Sequence, residues 1–207
     1  SDVATAFADS SEGTEVDPIE IQSAAELAFA VSSGGNGKYY KLTNDIYLND
    51  VSASNWAENE ANNAWYADVD FSGHIDGNNC IVYGLWYPTT QTGNVGLVPQ
   101  VTTYANRVTI KNLGIRYANV YSTGNAAAFV GNTSNKLVTI SNCFVDNTVT
   151  IYGGAAGAFV GGATRSGTIN EVNISYCANN NANISGSGKW VHGIFGSTYN
   201  TTFTVKN

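Results

Sequence analysis

Methionine is absent from this chain, the initiator included. The N-terminus is therefore expected to be trimmed, and SDVATAFADSSEGTEVDP is expected to follow a removed signal peptide. Cysteine is sparse, with only Cys80, Cys143 and Cys177. An odd count at wide spacing excludes a disulfide-stapled scaffold and fits no metal-ligand pattern. Basic residues are few: 9 Lys and Arg stand against 16 Asp and Glu, a formal charge of -7. That balance argues against a nucleic-acid partner, whose phosphates need a basic surface. No window approaches the roughly 18 consecutive apolar residues of a membrane-spanning helix. Only 12% of the residues are charged. With many hydroxyls and amides and few lysines, the composition suits an extracellular protein.

What is present is glycine, 22 residues of it, with abundant Asn, Thr and Ser. This is the composition of short strands and tight turns. Residues 1–18 carry five carboxylates and little large apolar surface, as a flexible leader would. A single domain is expected over 19–207. It opens with a helical cap (19–34), in which Ser23 and Glu26 form a capping box and Gly34–Gly35 stop the helix. Lead-in strands and a long loop follow (38–70): KYYKLTNDIYLND reads as a strand pair, and 50–67 as a polar excursion holding Trp56 and Trp65. Repeat rungs fill 71–207.

The repeats carry the fold. AAAFVG (126–131) returns as AGAFVG (156–161) and, loosened, as HGIFGS (192–197). Aligning VYGLWY (82–87), IKNLGI (110–115), ISNCFV (140–145) and ISYCAN (174–179) gives two columns. One is Val82, Ile110, Ile140 and Ile174; the other is Leu85, Leu113, Cys143 and Cys177. Tyr87, Ile115 and Val145 make a third column, and Leu97, Phe129, Phe159 and Phe195 a separate series. A period of about 30 residues with several short apolar strands per unit denotes a solenoid. The expected fold is all-β, a right-handed parallel β-helix of about 30 residues per rung with one short N-terminal capping helix. Column residues on successive rungs stack at about 4.8 Å.

The units A-F-V-G…T-I-S-N-C (127–143) and G-A-F-V-G…I-S-Y-C (157–177) resemble the GLUG-type repeats of bacterial secreted and cell-surface proteins. FSGHIDGNNCIVYGL (71–85) and the upstream AAELAFA…GKYYKLTNDIYLND are similar to the segments that precede such repeats. The resemblance covers residues 19–207. It implies a pectate-lyase-like parallel β-helix acting as a surface recognition or adhesion module. The departure is in the last rung, where HGIFG lacks the Val that follows Phe elsewhere.

Chemistry is thinly signposted. After Leu85 only Asp146 and Glu171 remain of the acidic residues, 25 positions apart, which argues against a glycosidase pair on those rungs. A carbohydrate-active lyase or hydrolase stays as the alternative, with Asp68 or Asp70 beside Asp45 as its test, and a structural stalk as another. Asp68, Asp70 and Asp76 match positions of a calcium loop, but position 12 is Asn79, and a strand followed by an Asp-Gly turn explains the segment. No metal or other cofactor is expected, with Ca²⁺ at those aspartates the one exception considered. His74 reads as a strand side chain. His192 lies beside the last Phe turn without an Asp or Ser partner nearby.

Cys143 and Cys177 read as buried apolar residues. As rung neighbours they are within reach of a bridge, although their column calls for core packing first. The aromatics are the better functional lead. If the Leu85 column points inward, Trp86, Gly114, Phe144 and Ala178 point outward. Trp86 and Phe144 would then lie about 10 Å apart over an open gap at Gly114. Trp56, Trp65, Tyr66 and Trp190 complete the candidate platform for a glycan or a partner protein. Packing of the excursion over Trp86, with Trp56 and Trp65 as loop anchors, is the competing reading. No membrane insertion is expected.

Overall fold

The computed structural model describes residues 3–102, 107–134, 137–164, 170–199 and 201–206. The chain coils into a parallel β-solenoid of about four turns. Alternate apolar residues drive this, because a strand that buries every second side chain needs a neighbour with the same register. The first elements are strand β1 (Ile19–Ile21), helix α1 (Ala24–Ser32), then strands β2 (Lys38–Leu42) and β3 (Ile46–Tyr47). The next turn carries β4 (Gly73–Tyr83) and β5 (Val98–Val101). A full four-strand turn follows: β6 (Val108–Arg116), β7 (Ala118–Tyr121), β8 (Asn125–Ala127) and β9 (Val130–Thr133). Then come β10 (Leu137–Asp146), β11 (Val149–Gly157) and β12 (Val160–Thr164). The last turn holds β13 (Asn170–Ser175), β14 (Ala178–Asn180), β15 (Asn183–Val191) and β16 (Phe195–Tyr199), and β17 (Thr201–Lys206) ends it.

Among the described residues, three sheets wrap the core. The first runs β1-β2-β4-β6-β10-β13-β17, with β3 on β4 and β14 on β10. The second runs β15-β11-β7 with β8 on β11, and the third runs β16-β12-β9-β5. Down the first sheet, Ile19, Tyr40, Ile75, Ile110, Ile140, Ile174 and Val205 are register partners. Burying each of these side chains from Ile19 to Ile174 contributes roughly 1.5–3 kcal/mol. Phe129 stacks on Phe159 with ring centroids 5.3 Å apart. The repeated glycine after that Phe is a steric demand: a Cβ on Gly161 would lie 2.6 Å from the carbonyl oxygens of Ala126 and Gly131. The small-Phe-Val-Gly motif therefore recurs because each turn presses its backbone on the last.

Some expected registers are corrected. Val82 pairs with Ile115, and Ile75 takes the place beside Ile110. Val82 thus pairs five residues further along β6 than its motif suggests, and the offset between β4 and β6 itself changes from 35 at Ile75 to 33 at Val82 across a bulge between Asp76 and Cys80, where Asn78 and Asn79 are left-handed. Cys80 therefore replaces Leu85 in the column Cys80, Leu113, Cys143. In the last turn Val160 pairs with Phe195, so Ile194 follows Phe159 and the motif is intact, displaced by one residue. KYYKLTNDIYLND holds two strands as expected, but they do not pair with each other: β2 and β3 both pair in parallel with β4.

The corner within the first sheet is set by side chains. Asn112 and Asn142 are left-handed, with φ of 56 and 51, a conformation asparagine tolerates better than most residues. Asn142 Nδ2 donates to Asn112 Oδ1 at 2.9 Å, and Asn112 Nδ2 to Asp76 Oδ1 at 3.0 Å, forming an amide ladder. On the next turn the left-handed position is Tyr176, φ 53 and 70% exposed.

The N-terminal end differs from expectation in two ways. Residues 19–21 are strand, because Ile19 and Ile21 face the core while Glu20 faces out. The helix is capped as read: Ser23 Oγ accepts from Glu26 N at 3.2 Å. Its Leu27, Ala28, Ala30 and Val31 join the core. The leader, expected to be flexible, lies against the domain from residue 4. Phe7 contacts Phe29 and Tyr40 with centroids at 4.9 and 5.7 Å. Asp9 Oδ2 accepts from Glu20 N at 2.8 Å, satisfying an edge-strand amide. One apolar anchor and a few carboxylate acceptors suffice where composition alone suggested none.

Replacing Tyr176 with Asn relieves a bulky left-handed residue and extends the ladder. We expect Tyr176→Asn to raise unfolding free energy by about 1 kcal/mol, read by denaturant titration. An unchanged or lower midpoint would show that the corner is not set by that residue.

Candidate functional site

Of the expected platform, three indoles are buried. Trp56, Trp65 and Trp86 are 8%, 7% and 7% exposed. Trp86 Nε1 donates to Ala57 O at 2.8 Å, Trp65 Nε1 to Leu97 O at 2.9 Å, and Trp65 N to Trp86 O at 2.9 Å. The excursion folds back over Trp86, and its tryptophans anchor it. The reason is area: a long polar loop stays ordered only if large rings tie it down. Tyr66 is half-buried against Trp65, at 5.0 Å. Its carbonyl accepts from the Tyr87 hydroxyl. Phe144 is half-buried, and its ring lies over Gly114, where a Cβ would approach it to 2.4 Å. The expected gap is thus filled by Phe144 itself. Trp190 alone of the six is exposed, at 52%, on β15 opposite Ala155.

The aspartates of the calcium reading each serve local backbone. Asp68 Oδ1 accepts from Asn94 N at 2.7 Å and Asp70 Oδ1 from Thr102 N at 2.7 Å. Asp76 Oδ1 takes Asn78 N at 2.8 Å as well as Asn112. Asp45 Oδ1 accepts from Ile81 N at 2.8 Å. Among the described residues no three His, Cys, Asp or Glu side chains gather as a metal site.

The structure instead assembles an open groove of about 410 Å³ on the outer face of the first sheet. Its floor comes from two outward columns flanking the buried Tyr40–Ile75–Ile110–Ile140 column. One is Tyr39, His74, Thr109 and Thr139; the other is Asp76, Lys111 and Ser141. Arg107 borders it, and Glu15 and Pro18 of the leader form a wall. Tyr39 and His74 stack at 3.9 Å and 17°. Rings stacked along the solenoid axis stand on edge, so they offer the groove a hydroxyl and a ring nitrogen more than open faces. His74 Nδ1 is 2.8 Å from Thr109 Oγ1, leaving the second ring nitrogen for a ligand. Arg107 donates to Thr139 Oγ1 at 2.9 Å, and Lys111 Nζ lies 4.0 Å from Asp76 Oδ2. The groove thus mixes hydroxyls, an imidazole and charges of both signs.

The sequence pattern does not reveal this site: His74 is a strand side chain, as expected, but the aligned motif begins only at Val82 and leaves the neighbours of His74 unassigned. The available signal was an offset of 35, 35 and 30 along Tyr39, His74, Thr109 and Thr139. Two further stacks stand on the outer faces: Tyr47 with Tyr83 at 4.4 Å and Tyr121 with Tyr152 at 4.7 Å. Arg116 Nε reaches Asp146 Oδ2 at 2.6 Å beside the first of these. Burial pushes the Asp146 carboxyl up, but the Thr148 hydroxyl and amide, with Arg116, outweigh it and hold the group below its ordinary value.

In fold and site this is a parallel β-solenoid with a polar lateral groove. No family model matches the chain, and no curated protein or solved structure is significantly similar to it.

Two outcomes follow. Trp86→Ala removes a loop anchor, and we expect a loss of about 3–5 kcal/mol in unfolding free energy. Full stability in that variant would show that the excursion is held otherwise. Burial holds the His74 imidazole below its ordinary value, with Lys111 adding and Glu15 opposing. The unfolded chain then binds the proton first, near pH 6.5, so stability falls as pH drops below that point. His74→Gln should flatten this limb of a melting-temperature profile, and an unaltered limb would assign it to another group.

Proposed function

We propose that this protein is a non-catalytic, extracellular recognition module of a bacterial secreted or surface protein, and that it binds a glycan in the groove on its first sheet. The observation that carries the reading is the groove itself, where Tyr39, His74, Thr109, Lys111, Thr139 and Ser141 line one open face. A parallel sheet holds these groups at fixed intervals of about 4.8 Å without prior ordering cost. Hydroxyl, imidazole, ammonium and carboxylate groups side by side suit a polyhydroxylated ligand, which both donates and accepts along its length. The resemblance to GLUG-type repeats and the low-charge, hydroxyl-rich composition support the same reading. The carboxylates Asp45, Asp68, Asp70 and Asp76 are taken up by backbone amides, which favours binding over acid–base hydrolysis.

The reading moves the ligand from a tryptophan platform to hydrogen-bonding columns. A glycan array, followed by titration of any hit against Tyr39→Ala and Lys111→Ala, tests it. Loss of one or two ligand hydrogen bonds should weaken binding about tenfold per variant, with folding retained. Absence of binding to every glycan, or binding untouched in both variants, would remove the groove from the account.

A further inference from the structure

Three cysteines remain as free thiols, and two of them lie on adjacent turns. The strand pairs on either side, Ser141 with Ser175 and Phe144 with Ala178, both have an offset of 34. Cys143 and Cys177 share that offset and therefore sit directly across from one another. Left-handed Asn142 and Tyr176 precede them, so the two backbones superpose and their Cβ atoms point the same way. Their thiols also adopt the same arrangement. Cys143 Sγ is 3.3 Å from Ser141 O and 3.8 Å from Ile110 O. Cys177 Sγ is 3.3 Å from Ser175 O and 3.6 Å from Ile140 O. The Cys177 sulfur thus leans toward the turn that holds Cys143.

We propose that Cys143 and Cys177 are a cross-turn disulfide site that fastens the last described turn of the solenoid to the one before it. Adjacent strands place the Cα atoms at about 4.8 Å, inside the range that a disulfide spans. The Cβ atoms need to close by only a few tenths of an ångström to reach about 4.5 Å. Cys80 shares the column but lies beyond Leu113, two strand spacings or about 10 Å from Cys143, out of reach.

The oxidant is a low-molecular-weight disulfide. Cys177 is half-buried and Cys143 buried, so the encounter is at Cys177. A hydrogen bond from Cys143 lowers the Cys177 thiol, while burial pushes the Cys143 thiol up. The Cys177 thiolate attacks one sulfur of the small disulfide, breaking its S–S bond and releasing one thiol. Cys143, on losing its proton, attacks the Cys177 sulfur of the mixed disulfide and expels the second small thiolate, which takes a proton. The balance is two protein S–H groups and one small disulfide converted into one protein S–S bond and two small thiols.

The bond would act where the solenoid is least supported. Among the described residues, β15, β16 and β17 each have a strand neighbour on one side only. Cross-linking Cys143 to Cys177 restricts the unfolded chain across this end, where the exposed Trp190 is carried.

The test treats the whole chain with oxidised glutathione, blocks free thiols and digests with trypsin. Cys143 and Cys177 fall in separate peptides, 137–165 and 166–189. The expected result is one cross-linked pair of these peptides, two hydrogens lighter than their sum. It should bring a rise in melting temperature of about 5–10 °C that reductant reverses. Cys80→Ala should behave like the parent, whereas Cys143→Ala should stop at the mixed disulfide on Cys177 and gain no stability. Recovery of the parent protein with both thiols blocked, or with glutathione retained on Cys177 and no cross-link, would overturn the proposal. So would a cross-link that includes Cys80.

Discussion

The structure depends on one constraint: each turn must present the same apolar shape, in the same register, as the turn below it. Parallel strands about 4.8 Å apart leave no room to accommodate a mismatch. Isoleucine over isoleucine and phenylalanine over phenylalanine are its consequences, as in the column from Ile19 to Ile174 and the pair Phe129 and Phe159. Glycine at 131 and 161 is the same constraint seen from the backbone, since neighbouring carbonyl oxygens occupy the space that a side chain would need.

The polar features follow from that stacking. Because strands alternate, a column of core residues enforces columns of surface residues on either side. The surface therefore carries ladders: the Asp76 carboxylate with the amides of Asn112 and Asn142, rings at Tyr47 and Tyr83, hydroxyls at Thr109 and Thr139. The proposed groove is two such columns walled by the leader. Its groups are held by the sheet's own hydrogen bonds, so recognition there needs little reorganisation. The cysteine pair is the inward counterpart, two thiols stacked by the same rule.

Not every function-like residue type in this chain serves a site. The tryptophans that looked most like a ligand platform are consumed in tying down residues 50–67, with two indole N–H groups donating to backbone carbonyls. The aspartates that resembled a calcium loop receive backbone amides at bends. A large ring or a carboxylate is as useful to an irregular segment as to a ligand, and only its neighbours decide between these uses.

The repeat determined the architecture from sequence alone. Ile110, Ile140 and Ile174, with Leu113 and Cys143, recur at the solenoid period, and a parallel coil is the arrangement that buries them all. The helix with its Ser23 and Glu26 cap was legible for the same local reason: its pattern and its stop are contained within a dozen residues. The site was not legible. Val82 pairs five residues beyond the position where its motif aligns it, and a bulge at Asp76–Cys80 sets two extra residues into β4 that no spacing rule announces. The leader's contacts join residues that are far apart in the chain, such as Phe7 with Tyr40. Which side of Trp86 meets solvent depended on where the excursion lands. Periodicity reports what neighbouring turns share, whereas bulges, loops and long-range contacts are settled only when the coil closes on itself.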